Sequence, residues 1–309
     1  MNSSGLLRNL KSRYILQKLF NNLLRKKLLD IIKYNKNLKQ RINININDYK
    51  EYFEIYSSIE IEIKPDNNLY GVFINIDEGN EIYYHIYFNS DKEEINRNYL
   101  IENETIKTIK IIIDYHVISF EELFLNCESV EYICFKKFYR NNINNMHGMF
   151  CGCSSLKELN LSNFKTNNVT DMSYMFFGCS SLKELNLSNF NTNNLSDMYN
   201  MFYGCSSLKE LNLSNFNNNN VTDMKGIFCE CSSLQEIDLS NFNTNNVIDM
   251  RGMFFGCTSL KELNFLNFNI NNVIYIESMF YGCSEEFQKK IKVQYKNIKK
   301  IAFENYYLF

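Results

Sequence analysis

"CSSLKELNLSNFKTNNVTDMSYMFFG", Cys153–Gly178, recurs almost letter for letter as "CSSLKELNLSNFNTNNLSDMYNMFYG", Cys179–Gly204, and the pattern continues through Cys283. Cys127, Cys153, Cys179, Cys205, Cys231, Cys257 and Cys283 stand at intervals of 26 with no slip. A fixed period of roughly 20–50 residues marks a solenoid, because a unit of that size cannot bury its apolar face alone and must stack on its neighbours.

Inside the unit, Leu156, Leu159 and Leu161 follow the spacing L-x-x-L-x-L. Along Leu159–Ser162 a period of two sends the leucines inward and Asn160 and Ser162 outward, which predicts a strand. Phe164 returns to the core, and "KTNN" is a polar turn. "NNVTDMSYMF" then predicts a short helix. Asn168 or Thr170 is available to cap it, Asp171 lies in its first turn, and Val169, Met172, Met175 and Phe176 share one face. Gly178 is expected to end that helix, and Cys179 opens the next unit as a small buried residue. A degenerate first unit begins near Leu123. At the far end "SEEFQKKIKVQYKN" reads as an amphipathic helix, and "IKKIAF" restores the leucine spacing as Ile298, Ile301 and Phe303. That segment is expected to be a closing strand, since an open terminal edge recruits other chains.

The consensus "MFxGCSSLKELNLSNFNTNNVTDM" resembles the BspA-like leucine-rich repeat, a surface-protein repeat family of many microbes, from about Leu123 to Gly282. The resemblance implies a leucine-rich solenoid used to bind other molecules, often at cell surfaces, and no catalytic activity.

Residues 1–40 read as helix, with apolar stripes at Leu16, Leu19, Phe20, Leu23, Leu28, Ile31 and Ile32. Within it "YILQKLFNNLLRKKLLDIIKYNK" also resembles the opening of an F-box through Leu19–Phe20, Leu23 and Leu28–Leu29, without that motif's proline and tryptophan. A helical hairpin docking its apolar stripe elsewhere on the protein is the structural reading. From residue 41 to 118 the period becomes two at Ile42–Ile44–Ile46, Ile59–Ile61–Ile63, Phe73–Asn75, Tyr84–Ile86–Phe88 and Ile109–Ile111–Ile113. "PDNN" and "DEGN" supply turns between them. The expected class is therefore α/β: a solenoid of 26-residue strand-turn-helix units at 119–284. A short helical segment (1–40) and a small β-rich domain (41–118) precede it, and a helix-plus-strand cap (285–309) follows.

The 309 residues carry a formal charge of −2 and dispersed basic residues, so no field for polyanions exists and nucleic acid is not an expected partner. No run approaches the roughly 18 apolar residues of a membrane span, and Arg8, Lys11 and Arg13 interrupt the opening apolar stretch. A cytoplasmic location is expected, with the cell surface suggested by family resemblance. His85, His116 and His147 fall on different elements, and no Walker loop, H-E-x-x-H or nucleophile elbow occurs. The repeat cysteines, with Cys151 and Cys229 beside them, lack the C-x2-C and histidine spacing of zinc sites and read as small hydrophobes. No cofactor, metal or catalytic residue is expected. Lys157–Glu158 and its copies Lys183–Glu184, Lys209–Glu210 and Lys261–Glu262 read as a solvated edge of alternating charge. Cys151, Phe177, Tyr203, Cys229, Phe255 and Tyr281, two residues before each repeat cysteine, read as half-buried packing, with a row of ligand-facing aromatics as the alternative.

Function is read as a non-enzymatic interaction scaffold. The candidate partner-binding surface is the strand face, with Asn160, Asn186, Asn212, Asp238 and Asn264 in one row and Ser162, Ser188, Ser214, Ser240 and Leu266 in the next. Specificity is expected from breaks in uniformity, Asp238, Phe265 and Leu266. The second reading is a substrate adaptor of a ubiquitin ligase, recruited through residues 14–40.

Overall fold

The computed structural model describes Lys50 and residues 54–66, 68–114, 117–264 and 268–306, with the side chain of Asn264 excepted. The chain divides into two compact units, Met1–Ser57 and Ser58–Phe309. In the first, residues 54–56 are helical. The expected helix over 1–40, its F-box-like stretch, and the strand expected at Ile42–Ile44–Ile46 lie outside the described residues.

The second unit opens with strands β1 (Ile59–Pro65), β2 (Gly71–Val72), β3 (Tyr84–Phe88), β4 (Tyr99–Leu100) and β5 (Ile109–Ile113). The first repeat contributes β6 (Val130–Lys137), and the later repeats contribute β7 (Glu158–Asn160), β8 (Glu184–Leu185), β9 (Glu210–Asn212), β10 (Glu236–Asp238) and β11 (Glu262–Asn264). Alternation of isoleucine with charged residues sets the pairing of the early strands, since a slip of one residue would turn every isoleucine outward. The order is β3-β5-β1-β6-β7, antiparallel up to β6 and parallel between β6 and β7. Phe88, Ile109, Ile63, Ile133 and Leu159 are paired in sequence across all five strands, so one apolar row runs from the early strands into the repeats. Two early strands depart from expectation. Phe73 is buried but sits outside any strand, after β2, while β4 is a two-residue partner of β2 too short to leave a periodic signal.

Arg140 joins these parts. It is fully buried, and its guanidinium donates to the carbonyls of Val117 (3.1 Å), Ile113 (3.3 Å) and Asp114. A buried cation of this kind is held by the acceptors it satisfies, so the end of β5 and the first repeat share one polar clasp.

Strands β8 to β11 form a second, parallel sheet with glutamate beside glutamate and leucine or isoleucine beside the same in each pair. On the other side of each unit the expected helix is absent. In its place stand successive tight turns, with bonds such as Met175 N–H to Met172 O and Cys179 N–H to Phe176 O. Two residues per unit adopt left-handed φ, Tyr174 (56°) and Gly178 (70°), then Asn200 (51°) and Gly204 (71°), and no α-helix contains such residues. The remaining N–H groups look to the next unit. Met146, Gly148, Phe150 and Gly152 donate to the carbonyls of Asp171, Ser173, Met175 and Phe177 at 2.7–2.9 Å. Asn168 and Thr170, expected as helix caps, instead bond the preceding unit through Asn141 O and Asn144 O. The unit is thus strand and turns, and the architecture is a β-rich repeat solenoid.

The core between the two sides is a stack of identical side chains. Phe124, Phe150, Phe176, Phe202, Phe228, Phe254 and Phe280 lie face to face at 5.5–5.7 Å. Each repeat cysteine from Cys153 onward donates its thiol to the carbonyl of the phenylalanine 29 residues earlier, Cys179 to Phe150 O at 3.2 Å and Cys205 to Phe176 O at 3.1 Å among them. All ten cysteines are free thiols, and burial pushes Cys205 and Cys283 up to about 12.

The amphipathic C-terminal helix appears as α1 (Glu285–Gln294), with Ser284 accepting from Phe287 N–H as its N-cap and Phe287 and Ile291 buried. The closing strand does not appear. Lys300–Phe303 is a 3-10 turn whose Ile301 and Ala302 carbonyls accept from Ser278 and Phe280. Its Phe303 ring lies 5.7 Å from Phe280. The segment therefore closes the turn side of the solenoid and the phenylalanine stack, and it does so because a phenylalanine was spaced to continue that stack.

Candidate functional site

The strand face is built by β7 to β11, whose alternation leaves every second side chain outward. Asn160, Asn186, Asn212 and Asp238 are exposed, as are Ser162, Ser188 and Ser214, while Ser240 is half-buried. Asn212, Asp238 and Asn264 are direct cross-strand partners. Leu266 and Phe265 lie outside the described residues.

The asparagine row also has a local task. Asn160, Asn186 and Asn212 each accept, through Oδ1, the N–H of the serine two residues on, at 2.9–3.0 Å. Asp238 does the same for Ser240 at 2.8 Å. These are Asx turns that end each strand, so one side-chain oxygen of Asn160, Asn186, Asn212 and Asp238 is already engaged; the amide N–H2 of the three asparagines and the second carboxylate oxygen of Asp238 face a partner. Aspartate fits the same turn, which is why Asp238 alters charge without altering shape.

The glutamates of the charged edge, joined by Glu236, form a further outward row. Glu184, Glu210, Glu236 and Glu262 are in direct register, with like charges separated by the strand spacing of about 4.8 Å. Its signal was present in the repeated glutamate at this position, but register is what turns four separate glutamates into a column. A groove of about 620 Å³ lies over the later strands, lined by Leu211, Ile237 and Leu263 with Glu210, Glu236, Glu262, Asn212 and Asp238 around them. An earlier groove is lined by both signs of charge, Lys157 and Lys183 with Glu158 and Glu184. Lys157 also pairs with Glu131 (2.7 Å) and Asp66 (3.7 Å).

On the turn edge, Phe177 stacks on Tyr203 at 4.6 Å and Phe255 packs on Tyr281 at 5.3 Å. These rings cover one another's faces, so the row supports packing over a ligand-facing aromatic platform. Asp171, Asp197, Asp223 and Asp249 form a column, each accepting an N–H two residues on. Asp249 is further paired with Arg251.

Of the histidines, His85 hydrogen-bonds Glu94 at 2.9 Å and stands 3.6 Å from Asp114. The Glu94 bond raises its pKa, and the pair ties β3 to the following loop. His147 Nδ1 bonds Ser173 Oγ at 2.7 Å. His116 is outside the described residues. Among the described residues no group of three His, Cys, Asp or Glu side chains is placed to hold a metal ion, and no helix is long and apolar enough to cross a membrane.

The family model described as "Mycoplasma protein of unknown function, DUF285" matches residues 118–213 and 206–307, and the chain belongs to that family. Both matches lie on the repeats and their C-terminal cap. No curated protein matches the chain. Among solved structures it is similar to the crystal structure of a leucine-rich repeat protein of T. pallidum, at 19% identity over 62% of this chain and 82% of that one, with a TM-score of 0.40.

Proposed function

We propose that this protein is a non-enzymatic interaction scaffold whose strand face binds a protein partner. The observation that supports the reading is the parallel sheet β8 to β11, whose outward rows recur in register and are covered by no other described element. Repetition builds a long regular surface from one short unit, the use to which solenoids are put. The later groove selects for charge: Glu210, Glu236, Asp238 and Glu262 line it without a lysine, so a partner offering arginine or lysine is preferred there. Asn160, Ser162, Asn186 and Ser188 would then serve as neutral donors and acceptors in the earlier half, with Leu266 as an apolar contact beyond Asp238.

The test pairs Glu236→Gln with Asp238→Asn, which keep shape and the Asx turn. Partners captured on the wild-type protein are identified, purified and titrated against both forms. Affinity is expected to fall at least about tenfold, about 1.4 kcal/mol, and more at low salt than at high salt. Equal affinity would remove the strand face from the reading.

A further inference from the structure

The repeats are nearly identical, yet one position differs in every copy. Immediately after Met146, Met172, Met198, Met224, Met250 and their counterpart Ile276 stand His147, Ser173, Tyr199, Lys225, Arg251 and Glu277, six residue types in six units. On the strand face the glutamate is the same in all five of its copies, Glu158, Glu184, Glu210, Glu236 and Glu262. Exposure alone does not explain the contrast, since those glutamates are exposed or line the outer groove while Tyr199, Lys225, Arg251 and Glu277 are half-buried.

The structure places this variable position beside two other columns on the turn edge. The first holds Asn144, Thr170, Ser196 and Thr222, polar residues of which Thr170 and Ser196 bond the preceding unit's carbonyls. In the last two units it changes to Ile248 and Ile274, left 45% and 58% exposed, with Tyr275 beside them at 45%. The second is the aspartate column. His147 stands 4.0 Å from Asp171, and Arg251 pairs with Asp249. Among the described residues neither Asp197 nor Asp223 has an ion-pair partner, and Lys225 instead lies over the Tyr199 ring at 5.3 Å. Burial raises the Asp223 carboxyl above its ordinary value against the Lys225 N–H, with Asp249 and Asp197 adding to the rise.

Tyrosine and arginine are the side chains that dominate protein interfaces, and clustered exposed aliphatic residues mark contact surfaces. We propose that the turn edge is a second and more selective interaction surface, one that binds an extended protein segment carrying a lysine or arginine and an apolar side chain about three residues apart. The cation is matched by Asp197 and Asp223, and the apolar side chain by Ile248, Ile274 and Tyr275. Units stack at about 4.8 Å, so the centres of these two patches are about 10 Å apart along the solenoid, which three residues of extended chain at about 3.3 Å each span. Tyr199, Lys225 and Arg251, two residues on from Asp197, Asp223 and Asp249, flank these patches unit by unit and fix the register, which a uniform row could not do.

The probe is a phage-displayed library of random linear peptides selected on the full chain, with enriched peptides then synthesised and titrated by fluorescence anisotropy. Two variants use residues the array already carries in these columns: Asp197→Asn with Asp223→Asn, after Asn145, and Ile248→Thr with Ile274→Thr, after Thr170 and Thr222. Asn145 makes the same turn bond, to His147 N–H at 2.8 Å, so the fold is expected to persist, as circular dichroism and melting would show. Enriched peptides are expected to carry the basic–apolar spacing and to lose at least about tenfold in affinity for each variant, about 1.4 kcal/mol. Glu210→Gln with Glu236→Gln on the strand face should leave their affinity unchanged. No enrichment, enrichment without that spacing, or loss confined to the strand-face variant would overturn the proposal; the last would leave the strand-face reading standing alone.

Discussion

The strand side and the turn side of each unit come from the same 26 residues and solve the stacking problem differently. The strand side uses the familiar ladder, but β7 to β11 are only two or three residues long. The turn side makes five backbone bonds across the junction between the units that begin at Cys127 and Cys153, from Met146, Gly148, Phe150 and Gly152 forward and from Thr170 back to Asn144 O, and sets the phenylalanine stack beside them. Most of what holds one unit to the next is therefore on the side that looks irregular. Its outward residues vary while the strand face repeats, so the more bonded side is also the more individual one.

That comparison fails first if the phenylalanine stack is dispensable. Phe202 is fully buried between Phe176 and Phe228, at 5.5 and 5.7 Å. Phe202→Ala is expected to cost about 3–5 kcal/mol through lost contacts and the cavity left behind. Urea unfolding should show it more damaging than Leu211→Ala on the strand side. The reverse order would return the main role to the strands.

A smaller effect sharpens the role of the left-handed positions. Gly204 sits at φ 71° and its counterpart one unit later is Glu230 at φ 58°. Gly204→Ala should destabilise by about 1 kcal/mol, and Glu230→Gly should stabilise by a similar amount, since a Cβ is unfavourable in this region. Melting temperatures moving in the same direction for both would show that the turns tolerate side chains equally.

The smallest effect is expected on the strand face. Glu210→Gln with Glu236→Gln removes two like charges in register, and stability should change by less than about 0.5 kcal/mol, towards stabilisation if at all. A large loss would mean that this row is part of the scaffold and unavailable for recognition.

Much of the core was legible from spacing. Leu156, Val169, Met172, Met175, Phe176 and Cys179 were all assigned inward and are fully buried. The helix was not legible, because residues at i, i+3, i+6 and i+7 face one way in a helix and also in a run of tight turns. The glycines at 148, 152, 178 and 204 were the available warning, since left-handed φ repeated every few residues cannot be helical. The closing strand failed for a related reason: Ile298, Ile301 and Phe303 match the leucine spacing, yet Phe303 serves the phenylalanine stack. At the candidate site the asparagine and serine rows were readable from alternation, whereas the glutamate column and the turn-edge columns needed register.

By itself the sequence determined the period, the stacking and the inward positions, because those follow from local alternation and from a repeat length that no single unit can satisfy alone. The tertiary structure alone decided the destination of the backbone donors. Phe150 N–H reaches Met175 O, 25 residues away, and not the carbonyl four residues back. A choice between a near acceptor and a distant one depends on which is in place once the units are stacked, and no short window of residues carries that information.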